Sequence, residues 1–338
     1  MIAKRLLAAG CALALSAGSA SAALVGVESF FGNFGLSTDG FGSTTNSGTI
    51  SASVDAGSTV AAAYLYTATY GNSSPGGFVP DDVELAGTTV SYDPFVENTT
   101  ACCNIGSARA DVTSVVKPII EGGPGGVYDF EVVENQAQNT SNGIDGHALV
   151  VVYENPALPE ASIGIFDGFA EVGGDTTTIN FAEALDTSNT DFFAEMVLGI
   201  GFSCCNQRST VEVNGELLTE NAGNFNDGNA QSNGSLITVG SFDDPISPPL
   251  PSYAEDTERY DLTPFIEDGD TSITIDTFNA SRDDNIFLAT FFADGRAGFN
   301  APPPPPVDPP TNPIPLPAPF MLLASGMVTL GAMRVKRR

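Results

Sequence analysis

The chain has 338 residues, sets 41 acidic against 12 basic side chains for a formal charge of −29, and contains no Trp and one His. That charge excludes nucleic acid as a partner, because phosphate recognition needs a basic face, and it disfavours anionic lipid for the same reason. A single His excludes metal sites built on two imidazoles.

Residues 1–22 read as a secretory signal peptide with a helical apolar stretch. Lys4 and Arg5 form a basic start, Leu6 to Leu15 the apolar run, and Ala20-Ser21-Ala22 a small-residue cleavage site, so signal peptidase is expected to cut between Ala22 and Ala23. Ala8-Ala9-Gly10-Cys11 offers a competing lipoprotein-like reading, but the apolar run continues past Cys11. Over residues 23–313, which hold all 41 acidic side chains, only Arg109, Lys117, Arg208, Arg259, Arg282 and Arg296 oppose them, which leaves roughly 35 net negative charges. Two explanations stand: solubility in salty water, where screening weakens self-repulsion, and binding of divalent cations.

Short alternating runs separated by Gly, Asn and Asp follow, the pattern of an all-β sandwich or barrel. Val60 to Tyr66 is the first predicted strand. Val83-Glu84-Leu85 and Thr88-Thr89-Val90 flank Ala86-Gly87 as a hairpin. Val127 to Val133 alternates. Ala148 to Tyr153 is continuously apolar and is expected to be buried on both faces. Ile163 to Phe166 ends at Asp167-Gly168. A second set echoes the first. Thr210 to Leu218, with its Asn214-Gly215 centre, parallels Asp82 to Val90. Tyr260-Asp261-Leu262-Thr263 to Gly269 parallels Ala110-Asp111-Val112-Thr113 to Gly122. Alternating Ser272 to Asp276 and apolar Ile286 to Phe292 complete it. Convergent hairpin chemistry is the alternative, but several matches in one order favour duplication. The expected fold is therefore all-β, with one or two jelly-roll-like antiparallel β-sandwiches over 23–160 and 161–298.

The first half is similar to a family of uncharacterised secreted bacterial surface domains. The similarity rests on Ala63-Tyr64-Leu65-Tyr66, Val83 to Gly87, Ala110 to Thr113, Leu149 to Pro156 and Asp167-Gly168-Phe169. The Trp that usually follows the first of these motifs is missing here. The resemblance implies secretion and no particular activity. Tyr260 to Asp276 looks, over one hairpin, like galactose-binding-like jelly rolls.

Cys102-Cys103 and Cys204-Cys205 place one adjacent pair in each half, in a compartment that permits disulfides. Three connectivities exist. Cross-links between the pairs are favoured over two vicinal rings, because adjacent side chains on a strand point to opposite faces. Closing a loop of about 100 residues in this way stabilises by roughly 4–5 kcal/mol in the chain-entropy account. A four-cysteine zinc site fits poorly, since C-x2-C spacing is absent. His147, two residues from Asp145, lacks a G-x-S-x-G partner and reads as structural or surface-lying. Paired carboxylates of a glycosidase type are formally available among so many acids, but nothing singles out a pair. Calcium is the one ligand the oxygen-rich loops suggest, through Asp227, Asp268, Asp270, Asp283 and Asp284. None of these loops matches the EF-hand pattern, and each also reads as a solvated turn. No other cofactor is called for.

Residues 299–313 form a stiff proline-rich spacer, from Pro302 through Pro313. Residues 314–338 then carry Ile314-Pro315-Leu316-Pro317-Ala318, an apolar run from Pro319 to Met333 that is short for a membrane-spanning helix, and a basic end of Arg334, Lys336, Arg337 and Arg338. This layout resembles the PEP-CTERM class of sorting signals in its V-P-L-P-A variant, with Ile314 in place of Val. The resemblance implies processing by an exosortase, a Gram-negative host, transient anchoring in the inner membrane, and delivery to the cell surface or extracellular matrix. A plain C-terminal anchor is the alternative and also yields a surface protein. Together these readings lead to the expectation of a non-enzymatic surface or matrix protein that interacts with extracellular polysaccharide or neighbouring cells. The alternative is an exported carbohydrate-active enzyme.

Overall fold

The structure, a computed structural model, describes residues 24–71, 79–93, 96–98, 105–135, 142–168, 170, 173–201, 208–223, 237–280, 285–295 and 299. They belong to a compact unit spanning Met1–Pro302; a second unit, Pro303–Arg338, lies outside the described residues, as do the signal peptide, the sorting motif and all the cysteines. Among the described residues no helix is long and apolar enough to cross a membrane.

The protein is all-β, with several antiparallel sheets and one α-helix among the described residues. The first run of strands is β1 (Val25–Gly32), β2 (Phe34–Gly42), β3 (Ser47–Val54), β4 (Thr59–Gly71), β5 (Val83–Leu85), β6 (Thr88–Thr89), β7 (Val96–Asn98) and β8 (Ile105–Asp111). Helix α1 (Thr113–Glu121) leads into β9 (Gly126–Glu134) and β10 (Asn142–Glu154). The second run is β11 (Ala161–Asp167), β12 (Asp175–Asn180), β13 (Ala194–Gly201), β14 (Ser209–Val213), β15 (Glu216–Ala222), β16 (Ile237–Val239) and β17 (Arg259–Asp261). A 3-10 turn, Thr263–Phe265, precedes β18 (Ser272–Asn279) and β19 (Asn285–Asp294).

Two sheets come from the first run, ordered β2-β10-β4-β8-β7 and β3-β9-β5-β6. Two come from the second, β11-β19-β13-β16 with β17 also on β13, and β12-β18-β14-β15. The strand order is the same in both runs, and the segments that echo each other in sequence occupy equivalent places. The β5–β6 hairpin turns at Ala86 and Gly87 (φ 48° and 74°), and the β14–β15 hairpin at Asn214 and Gly215 (φ 52° and 79°). Both have the doubly positive φ of the I′ turn that matches strand twist. One strand breaks the division at residue 160. β1 pairs with β11 as the edge of the second run's sheet, Val25 opposite Asp167 and Gly32 opposite Ala161.

The sheets stack in four layers, because the two inner sheets are apolar on both faces. Alternate residues of β10 serve different cores: Leu149, Val151 and Tyr153 pack with Ile50, Phe130 and Val132 of the outer sheet. Ala148, Val150 and Val152 pack with Ile163, Ile165, Val197 and Phe287 of the other inner sheet. In β13, Met196, Leu198 and Ile200 face Ile179, Val211, Ile273 and Ile275, while Val197 faces the central layer. The outer strands show the one-sided alternation of a sheet that meets water; in β9 only Phe130, Val132 and Glu134 are buried. Helix α1 is absent from the sequence expectation. It is a short amphipathic turn set that buries Val116 and Ile120, and its second-run counterpart is only the 3-10 turn.

The inner sheets meet so closely that glycine is required at the contact. A Cβ on Gly201 of β13 would stand 2.6 Å from the Cβ of Ala68 on β4. Neither atom is the movable end of a flexible chain, so Gly201→Ala should cost about 1–3 kcal/mol by overpacking. The midpoint of urea unfolding should fall accordingly. Gly173→Ala, where nothing lies within 4 Å, is the neutral control.

Candidate functional site

His147 carries the chain's single imidazole. It lies in the middle of β10 and is wholly buried, as are Glu134 and Asp145. A register shift between Ile144 and Gly146 interrupts the pairing of β10 with β4 at Asp145. The imidazole pairs with the end of β9: Nε2 lies 3.0 Å from Glu134 Oε1, and the Tyr92 hydroxyl lies 3.2 Å from Nδ1. The Ser43 hydroxyl donates to the same carboxylate oxygen, and Phe41 stacks on the imidazole at 6.4 Å. Burial, with the Glu134 charge beside it, pushes the Tyr92 phenol well above its ordinary pKa. The cluster joins β9, β10 and the loops beside them, and it is sealed by packing.

A second buried acid group sits where the second run departs from the first. Strand β8 is continuous, but its counterpart is split into β16 and β17, which pair with Gly199–Gly201 and Glu195–Val197 of β13. The excursion Gly240–Glu258 lies between them. Asp256 and Glu258 anchor it, each at 0% exposure. The hydroxyls of Thr219 and Tyr260 donate to Asp256, the latter at 2.6 Å. The Thr238 hydroxyl and the Gly223 N–H donate to Glu258. Burial raises the Asp256 carboxyl above its usual range, against the pull of the two hydroxyls. Glu258 takes φ 56°, a conformation that non-glycine residues rarely adopt.

The third arrangement is open. Tyr66 of β4, Ser107 and Arg109 of β8, Asp93, and Asp167-Gly168 at the end of β11 line an open cleft of about 120 Å³. Arg109 is the only basic residue among the described residues that line it. Its Nη1 donates to Asp167 Oδ2, and its guanidinium lies over the Tyr64 ring, 5.6 Å from the centroid. The Tyr66 hydroxyl is buried beside both the guanidinium and the Asp167 carboxylate and interacts with each. Burial and the Asp167 charge push its pKa well up. Burial also raises Asp167, against the opposing pull of Arg109. The Ser107 hydroxyl donates to Gly168 O at 3.4 Å. Tyr64, Tyr66, Asp167 and Gly168 belong to the segments on which the family resemblance rests, and the fold brings them together from two sheets. Sequence reasoning missed Arg109 as a site residue; its rarity in so acidic a chain was the available signal.

Of the residues suggested for calcium, Asp227, Asp283 and Asp284 lie outside the described residues. Asp268 and Asp270 sit in the turn after Ile266, where Asp270 Oδ2 accepts the Glu267 N–H at 2.9 Å and closes the turn locally. Among the described residues no group of three or more His, Cys, Asp or Glu side chains is placed to hold a metal ion.

No protein-family model matches the chain, and no curated protein matches it. Two solved structures show a slight likeness. BuGH86 in complex with neoagarooctaose has 10% identity and a TM-score of 0.25, over 76% of this chain and 34% of that one. A beta-porphyranase of glycoside hydrolase family 86 from the human gut bacterium Bacteroides plebeius has 7% identity and a TM-score of 0.20, over 84% and 38%. The chain spans little more than a third of either protein's length, and a likeness at these TM-scores carries no argument about fold or activity.

Proposed function

We propose that this chain is an exported, non-enzymatic protein of the cell surface or extracellular matrix, and that it engages extracellular polysaccharide through a rigid pair of jelly-roll-like sandwiches. The observation that carries the reading is the fate of the ionisable groups. His147, Glu134, Asp145, Asp256 and Glu258 are sealed in the core at 1% exposure or less. Groups held there brace strands and excursions rather than meet substrate. The repeated order β2-β10-β4-β8 over β3-β9-β5-β6 supports the jelly-roll reading. Export rests on the signal peptide at 1–22, and surface delivery on the sorting motif Ile314 to Ala318 with its apolar run and basic end. Under this reading signal peptidase and an exosortase are the processing partners, in a Gram-negative host.

Mass spectrometry of both ends of surface-extracted protein is the test, alongside incubation with extracellular polysaccharide. The mature chain is expected to begin at Ala23, to end near Pro317, and to bind glycan without releasing reducing ends. An intact Arg338 would make the tail a permanent anchor and overturn the processing. Release of reducing ends by the purified chain would establish the carbohydrate-active enzyme instead.

A further inference from the structure

The two runs carry an arginine at the same place. Arg109 of β8 stands opposite Tyr66 of β4, two residues before the Asp111–Tyr64 pair. Arg259 of β17 stands opposite Val197 of β13, two residues before the Asp261–Glu195 pair. Both have a carboxylate partner: Arg109 reaches across to Asp167, and Arg259 Nε donates to Glu195 Oε2 at 2.8 Å. They differ in what meets the rest of the fork. Arg259 Nη1 also donates to Phe242 O at 3.2 Å and Asp244 O at 2.9 Å, two carbonyls supplied by the Gly240–Glu258 excursion. The first run has no such excursion, because β8 is continuous. Around Arg109 the corresponding space is the open cleft.

We propose that the Arg109 cleft is a binding site for one neutral hexose unit of a polysaccharide, whose hydroxyls take the place that the excursion's carbonyl oxygens fill at Arg259. The site rests on the polysaccharide reading above and gives it a location. The chemistry is that of vicinal hydroxyls, each of which both donates and accepts. The rest of the Arg109 fork offers donors, Asp93 and Asp167 offer acceptors, and a planar fork suits paired oxygens. The cleft is small and open, so one sugar ring would rest across its mouth rather than be enclosed. Two carboxylates beside a single guanidinium, in a chain of charge −29, select against uronic acids and sulfated sugars.

Isothermal titration of the mature chain with neutral hexasaccharides of glucose, galactose and mannose, and with a hexauronate for comparison, tests the site. Arg109→Lys keeps the charge and the partner Asp167 but removes the fork; Asp93→Ala removes a rim acceptor. Both should weaken binding of a neutral hexasaccharide at least tenfold with melting temperatures close to wild type. Arg259→Lys should leave the affinity unchanged, because its donors are occupied by the chain itself. If wild type binds a neutral sugar and both cleft variants bind it equally well, the site is wrong and the polysaccharide reading survives. If wild type binds only the hexauronate, the neutral-sugar assignment is wrong and the reading again survives. If wild type binds no glycan, the reading falls and the site falls with it.

Discussion

Glu134→Ala lowers the stability of the protein by about 4 kcal/mol. The substitution strands two buried donors, the His147 Nε2–H and the Ser43 hydroxyl, whose shared acceptor is Glu134 Oε1. An unsatisfied buried donor costs roughly 1–3 kcal/mol, and His147 and Glu134 are both at 0% exposure, where water cannot take the acceptor's place without opening the core. At roughly 2 °C per kcal/mol for a unit of this size, the melting temperature should fall by about 8 °C. Glu134→Gln retains an acceptor oxygen of the same reach and should recover more than half of the loss. A fall of less than about 1 kcal/mol for Glu134→Ala would mean that solvent enters the cluster. In that case the case for a non-catalytic His147 would fail with it.

The protein is more stable at pH 4.5 than at pH 7.5, against the usual optimum between about 5 and 8. Burial raises six carboxyls among the described residues above their ordinary values: Asp39, Asp167, Glu195, Asp244, Asp256 and Asp294. The exposed Asp186 is lowered, by its hydrogen bonds with Ser188. Asp39 is the clearest case. Burial lifts it to about 6, despite donors from the Ser51 and Gly40 backbone and the Ser241 hydroxyl, and the Asp243 charge adds to the rise. An acid with a raised folded-state pKa holds its proton more tightly when folded. Its contribution is therefore complete below the unfolded value near 4 and is lost as pH rises through about 6. A shift of about two units corresponds to on the order of 2–3 kcal/mol for Asp39. Self-repulsion of the ionised chain works in the same direction. Melting curves at constant ionic strength should show the temperature falling from pH 4.5 to 7.5, and Asp39→Asn should flatten much of the slope. A melting temperature that rises over that interval would overturn the idea.

The runs of residues that alternate or stay apolar were legible as strands because a pleated sheet reads out side-chain period directly. Ala148 to Tyr153 is the clearest case. Its unbroken apolar run implied burial on both faces, and β10 is buried on both faces because it lies between two cores. The Asn214-Gly215 turn was legible for a similar local reason, since only a few residue types accept paired positive φ, and the Ala86-Gly87 turn from its Gly between two alternating runs. Helix α1 was not legible. Two buried positions over Thr113–Glu121 are too few to establish a helical period, and Pro118 stands inside it.

What the chain determines by itself is therefore local: strand identity, hairpin chemistry, the extreme charge, and the repeated order of matched segments. Only the tertiary structure decided the rest. It took β1 from the first half and placed it at the edge of the second run's sheet, a pairing that sequence distance does not encode. It paired His147 with Glu134 rather than with Asp145 two positions away, at a point where the register between β10 and β4 shifts. It also brought Arg109 to Asp167 from 58 residues away and left the cleft open, while the same arginine in the second run was filled by an excursion of its own chain. Contacts of this kind depend on which faces of which sheets meet. That is settled by the summed burial of many side chains, and no single motif along the chain records it.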